Sequence, residues 1–125
     1  MRFDIWLSSM KQSNIHNKTF QFALNSVSLY QYLISEKKEQ ILSKQLLRCS
    51  TSVGAMIREA EYAESKADFI HKMSVAQKEI NESLYWLELL YKTKYLVVFE
   101  FQNHFNDATE ILKIITSILK KMKGI

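Results

Sequence analysis

Apolar residues recur every three or four positions in four separate stretches of this chain, the spacing that lines one face of an α-helix. From Asn17 to Ser35, Phe20, Leu24, Val27, Tyr30 and Ile34 make one stripe, and Phe22, Leu29 and Leu33 begin a second beside it. The charged link Glu36-Lys37-Lys38-Glu39 ends that stretch. From about Gln40 to Ala63, the residues Leu42, Leu46, Cys49, Val53, Met56 and Ala60 alternate steps of four and three, which puts them on one core-facing side. Ser65 with Asp68 three residues on is a capping-box-like start, so a third helix begins near Lys66. It carries Phe69, Met73, Ala76, Ile80, Leu84, Leu87 and Tyr91. The fourth stretch, from about Glu100 to Lys123, repeats the rule with Phe101, Phe105, Ala108, Leu112, Ile115, Leu119 and Met122. Four amphipathic helices with short links predict an all-α fold, an antiparallel up-down four-helix bundle over residues 17–125, preceded by an N-terminal extension, 1–16.

Composition narrows the picture further. The 125 residues suit one domain, and two glycines with no proline leave too little turn chemistry for a β-sandwich or barrel. A single cysteine, Cys49, excludes an intrachain disulfide framework and suits a reducing compartment. The first residues lack the apolar core of a secretory signal, and the longest aliphatic and aromatic run, Tyr95 to Phe99, is far shorter than the ~20 residues of a membrane span. A soluble, cytoplasmic protein with no membrane partner is expected. The first and fourth helices are apolar over more than one stripe, Ile111, Ile114 and Ile118 flanking the main face of the fourth. Such breadth fits either a wide core-facing arc or a subunit interface.

Net charge is +4, which permits contact with nucleic acid or an anionic surface without requiring it. Lys44, Arg48 and Arg58 follow helical spacing two residues out of phase with the apolar stripe, about 200° around the helix, and so share the face opposite the core. They are candidate phosphate contacts, with Tyr62 as a stacking group at the far end. Lys113, Lys120, Lys121 and Lys123 add cations toward a helix C-terminus, where charge also complements the dipole. Gly54 costs the second helix roughly 1 kcal/mol relative to alanine, and with Ser50 it makes a small surface suited to close helix packing. Catalytic and metal chemistry find no foothold. Asp68-x-x-His71 stands alone where a di-iron bundle needs two such motifs with further carboxylates, His16 and His104 have no matching partner, and Cys49 lies on the apolar stripe. Tyr85, Trp86, Tyr91 and Tyr95 read as core filling around the end of the third helix. Neither an enzyme nor a cofactor is expected.

Two blocks carry a family resemblance. Ser43-Lys44-Gln45-Leu46-Leu47-Arg48, Thr51-Ser52-Val53-Gly54-Ala55 and Ile57-Arg58-Glu59-Ala60 form the first. Ser65-Lys66-Ala67-Asp68-Phe69-Ile70-His71-Lys72, Glu79 and Leu84-Tyr85-Trp86-Leu87-Glu88-Leu89-Leu90 form the second. In order and spacing the chain resembles, over about Asn17 to Leu119, the bacterial four-helix-bundle proteins first noticed as products of intervening sequences inside 23S rRNA genes. The resemblance implies an up-down bundle that assembles as a homo-oligomeric ring, typically a pentamer, with no established enzymatic activity. A related bundle is an accessory subunit of a retroelement reverse transcriptase. Met56 stands where the family usually has Asn, Cys49-Ser50 replaces a Ser-Gly-like pair, and Lys94 takes the place of a glycine after the third helix. If Lys94 adopts the left-handed cap conformation, the strain is roughly 1 kcal/mol. The functional expectation is a non-enzymatic oligomer that binds RNA or DNA through the basic face of the second helix. The competing expectation is a protein–protein adaptor or accessory subunit without direct nucleic-acid contact.

Overall fold

A computed structural model describes the backbone of residues 3–124 and the side chains of residues 7–124. The described residues form five helices: α1 (Phe3–Ser13), α2 (Ile15–Ser35), α3 (Ile41–Ala60), α4 (Lys66–Lys92) and α5 (Val98–Lys123). Helices α2 to α5 are the four read from the periodicity. Each packs on the next, and α5 closes against α2. Short links make successive helices antiparallel, so the α2–α3 and α4–α5 links lie at one end of the bundle and the α3–α4 link at the other. None of the described helices is long and apolar enough to cross a membrane.

The N-terminal residues contribute an element that periodicity did not reveal. Helix α1 packs on α2 and α5 and buries Met10 beside the fully buried Ile15. Asn14 turns the chain between α1 and α2 in the left-handed conformation (φ 57°), which asparagine tolerates better than most residues.

In α2 the buried face differs from the principal stripe. Ile15, Thr19, Phe22, Ser26, Leu29 and Leu33 face the core in alternating steps of four and three. Phe20, Leu24 and Val27 are exposed at 51%, 48% and 40%. Two hydroxyls make this register tolerable. Thr19 Oγ1 donates to the Ile15 carbonyl at 2.9 Å and Ser26 Oγ to the Phe22 carbonyl at 2.8 Å, so neither brings an unsatisfied group into the core. Helices α3, α4 and α5 turn the expected stripes inward, with Leu42, Met56, Leu84, Tyr91, Phe101, Phe105 and Leu112 only half-buried. Ser43, Ser50 and Ile57 join the buried face of α3, Glu79, Ser83 and Leu90 that of α4, and Ile111 and Ile118 that of α5.

Helix ends follow from local chemistry. Glu39, within the link before α3, accepts hydrogen bonds from the backbone N–H groups of Ile41, Leu42 and Ser43 at 3.1, 2.8 and 2.8 Å. Three of the four orphan donors of that helix start are thereby satisfied by one carboxylate. Burial raises the Glu39 pKa, but the bonds from Leu42, Ser43 and Ile41 outweigh it and hold the group below its ordinary 4.5. At α4 the Asp68 N–H donates to Ser65 Oγ at 3.1 Å, the capping arrangement read from the sequence. Helix α4 ends with Lys94 at φ 71°, its N–H bonded to the Tyr91 carbonyl and that of Tyr95 to Leu90, a Schellman closure with lysine where glycine is usual. Helix α2 ends at Ser35 with Glu36 as its cap, and in the link beyond it Lys38 is also left-handed, at φ 56°, where the Glu39 N–H reaches back to the Leu33 carbonyl.

Candidate functional site

The cations of α3 all lie outside the core, but the structure leads them in three directions. Lys44 is exposed and forms no ion pair among the described residues. Arg48 turns to α4, where its guanidinium pairs with Glu79 at 3.2 Å and closely with Glu82, and its Nε donates to Gln45. Glu82 also accepts the Trp86 indole N–H at 2.9 Å, so Arg48 belongs to a network that ties α3 to α4. Arg58 turns to α2, its guanidinium 5.8 Å from the centre of the Phe20 ring, within cation–π range. Lys44 and Arg58 are separated by fourteen positions, or about 21 Å of helix.

Lys113, Lys120, Lys121 and Lys123 are exposed on α5 and pair with no carboxylate among the described residues. Helix α5 is flanked by α4 and α2, diagonal to α3, so these lysines do not join Lys44 and Arg58 in one patch within a single copy. Lys113 and Lys121 line a groove of about 360 Å³ against Ser9 and Gln12 of α1.

Gly54 of α3 meets α2. A Cβ on Gly54 would sit 3.4 Å from the carbonyl oxygen of Thr19, the lower edge of ordinary contact. Ser50 is fully buried, and its hydroxyl donates to Leu47 O at 3.3 Å. Outside this close approach runs a groove of about 680 Å³ whose walls include Phe20 and Ala23 of α2 and Gly54, Ala55 and Arg58 of α3. Tyr62, 80% exposed, stands at its end, where Glu59, Glu64, Asp68 and Lys72 supply mixed charge. Lys72 and Glu59 pair at 3.0 Å. Phe20, a wall of this groove, shares its helical face with the exposed Leu24 and Val27, an apolar surface that periodicity assigns to a stripe without fixing its direction.

Chemistry of other kinds is sparse. Asp68 accepts from the Glu64 N–H as part of the α4 cap, and His71 is exposed beside it. His16 Nδ1 lies 2.7 Å from Glu61 Oε1, a link between the start of α2 and the end of α3. Burial holds the His104 pKa below 6.5, against the opposing charges of Asp107 and Glu100. No three of the described His, Cys, Asp and Glu side chains converge as metal ligands. Burial pushes the Cys49 thiol up to about 11, in spite of the hydrogen bond it accepts from the Ser83 hydroxyl at 3.3 Å. A thiol so placed is a poor nucleophile at neutral pH.

Comparison with known proteins follows the same lines. No curated protein matches the chain. A crystal structure at 1.70 Å of a protein of unknown function from the S23 ribosomal protein family of Bacteroides thetaiotaomicron VPI-5482 is 50% identical in sequence. It superposes with a TM-score of 0.84 over 85% of this chain and 98% of its own. The model of the 23S rRNA-intervening sequence protein family matches residues 11–117, which begins inside α1 and takes in α2, α3, α4 and most of α5. The helical bundle, the two sequence blocks and this match agree: the chain belongs to the 23S rRNA-intervening sequence protein family.

Proposed function

We propose that this protein is a non-enzymatic helical bundle that self-associates through the α2–α3 face and, once assembled, binds nucleic acid, RNA foremost. The observation that carries the reading is the run of Phe20, Leu24 and Val27 exposed along α2 beside the groove over Gly54 and Ala55. Apolar side chains in a row at helical spacing are costly to leave in water, and a second copy can cover them. Association also supplies what one copy lacks for nucleic acid. The separate cations of a single bundle are repeated around an assembly, and the +4 of each copy is multiplied by the number of copies. Lys44, Arg58 and the α5 lysines carry the phosphate contacts in this reading. Arg48 contributes less, because Glu79 and Glu82 already neutralise it.

Sedimentation and electrophoretic titration test the two halves separately. Wild-type protein is expected to sediment as an oligomer and Leu24→Asp as a folded monomer; a monomeric wild type contradicts the assembly. The wild-type oligomer is expected to retain RNA at low salt, with log affinity falling against log salt by about 0.7 per phosphate neutralised on a single strand. Lys44→Ala with Arg58→Ala is expected to weaken retention more than Arg48→Ala. No retention at low salt rejects nucleic acid as the ligand.

The adaptor reading has one observation in its favour, the groove of about 680 Å³ between α2 and α3 with Phe20, Ala23 and Ala55 among its walls, an apolar surface of the kind an amphipathic helix of a partner occupies. Co-purification of a protein that survives nuclease and is lost in Leu24→Asp supports it over the first reading.

A further inference from the structure

The groove of about 360 Å³ between α1 and α5 has two polar walls and an apolar base. Ser9 and Gln12, three residues apart on α1, belong to one wall, and Lys113, Ser117 and Lys121, four residues apart on α5, make the other. The base is apolar, with Ile114 half-buried and Ile118 buried. Its charge sets it apart. The α2–α3 groove has Glu59, Glu64 and Asp68 in its walls, a groove between α1 and the end of α3 has Glu61, and two between α2 and α5 have Glu100, Asp107 and Glu110. Among the described residues no carboxylate lines the α1–α5 groove. From Ile111 to Lys123, α5 holds four lysines and no acid, and residues 7–13 of α1 hold no acid either. The last acid of α5, Glu110, is paired with Lys18 of α2 at 3.1 Å.

Helix polarity and ion pairing leave this arrangement unexplained. The macrodipole favours Lys120, Lys121 and Lys123 in the last turn of α5, but Lys113 stands ten residues, about 15 Å, before the helix end, beyond the reach of that effect. Neither Lys113 nor Lys121 meets a carboxylate among the described residues. The shape of the groove indicates what these cations suit. Gln12, Lys113, Ser117 and Lys121 are all exposed, so a small ligand would keep much of its surface in water, unlike one enclosed in a cofactor pocket. Lys113 and Lys121 are eight residues, about 12 Å, apart along the wall with Ser117 midway, a row that can meet successive anionic groups of one strand. Lysine, serine and glutamine are donors that take phosphate and sugar oxygens without reading sequence.

We infer that the α1–α5 groove is a track for the sugar–phosphate backbone of an RNA strand, with Lys113 and Lys121 on its phosphates and Ser9, Gln12 and Ser117 as further donors. The inference rests on the nucleic-acid reading above and deepens it, because it separates Lys113 and Lys121, which hold the strand, from Lys120 and Lys123, which serve the helix end. Both walls come from one chain, so each copy in an assembly contributes one track. The match to the family begins at residue 11, so Ser9 and most of α1 lie outside it. One wall of the track is thus largely an addition to what the family match covers.

Electrophoretic titration of the full chain with single-stranded RNA tests it. Lys113→Ala with Lys121→Ala is expected to lower affinity roughly tenfold and to reduce the slope of log affinity against log salt by about 0.7 per phosphate no longer met. Lys120→Ala with Lys123→Ala, the same loss of charge beside the groove, is expected to change affinity by less than about threefold. Gln12→Glu is expected to weaken binding with every lysine in place, whereas Gln102→Glu, an equal change of charge at an exposed site on early α5, is expected to have little effect. All these side chains are exposed, so thermal unfolding is expected to stay the same. Strands of equal length and different sequence are expected to bind alike. Equal losses from the two lysine pairs, or from the two glutamine variants, would mean that net charge alone is felt, which overturns the track and leaves nucleic-acid binding in place. No retention of RNA by the wild type at low salt overturns the underlying reading together with the track. Displacement of the RNA by tripolyphosphate at equal phosphate concentration would make this a small-anion site, and retention of polyglutamate that the Lys113/Lys121 variant loses would assign it to an acidic protein; either result contradicts the proposal.

Discussion

Glu39 stands in a link that reads as a solvated charge run, yet its carboxylate caps α3 through three backbone N–H groups. Its folded-state pKa is depressed, so its stabilisation is fully present above the unfolded value and is lost as pH falls through the folded one. Glu39→Gln is therefore expected to destabilise the protein by about 1 kcal/mol near neutral pH, with the difference shrinking under acid. Denaturant unfolding of both proteins across pH checks this, and a gap that persists after the carboxylate is protonated contradicts it. The sequence could not single out Glu39, because Glu-Lys-Lys-Glu does not say which carboxylate turns inward. Lys94 was legible, since the family resemblance places glycine there, and its φ of 71° agrees. Lys94→Gly is expected to raise stability by about 0.5 kcal/mol, the relief of strain being partly offset by the greater freedom of glycine in the unfolded chain. Cys49, buried with its pKa raised to about 11, is expected to resist thiol reagents until the protein unfolds. Labelling with and without denaturant measures that directly.

At the scale of the element, α3, α4 and α5 were readable because their most regular apolar stripes are the ones turned to the core, although Ser43 and Ser50 of α3 and Glu79 and Ser83 of α4 are buried with them. Helix α2 was not, because Thr19 and Ser26 interrupt its buried heptads while Phe20, Leu24 and Val27 supply a more uniform stripe on the outside. Periodicity measures where apolar residues lie on a helix and is silent on whether the core or another molecule covers them. Helix α1 has a different reason for escaping notice. Met10 is the buried anchor among its described side chains, and one anchor makes no period. The crossing of α2 and α3 at Gly54 yields a graded expectation. In Gly54→Ala the gain in helix propensity, about 1 kcal/mol, is set against a Cβ at 3.4 Å from the Thr19 carbonyl, and the net change is small. Gly54→Leu cannot fit without moving α2 and is expected to lower stability by about 2 kcal/mol or more. Thermal melts that show equal stability for both variants would mean that the helices are not held at this spacing.

For the whole molecule, the cations placed by spacing do lie outside the core, but their partners were beyond the reach of spacing. Arg48 meets Glu79 and Glu82 because α4 packs on α3, and Arg58 meets Phe20 because α2 does. The cations without a carboxylate partner in one copy are divided between α3 and the diagonal α5, which is why the proposed nucleic-acid binding relies on assembly. Mass spectrometry of the intact protein, purified from its native host with and without nuclease, tests that union most directly. The expected result is an assembly of several 14.7 kDa chains that carries extra mass removed by nuclease. A 14.7 kDa monomer with nothing bound, whatever the treatment, would contradict it.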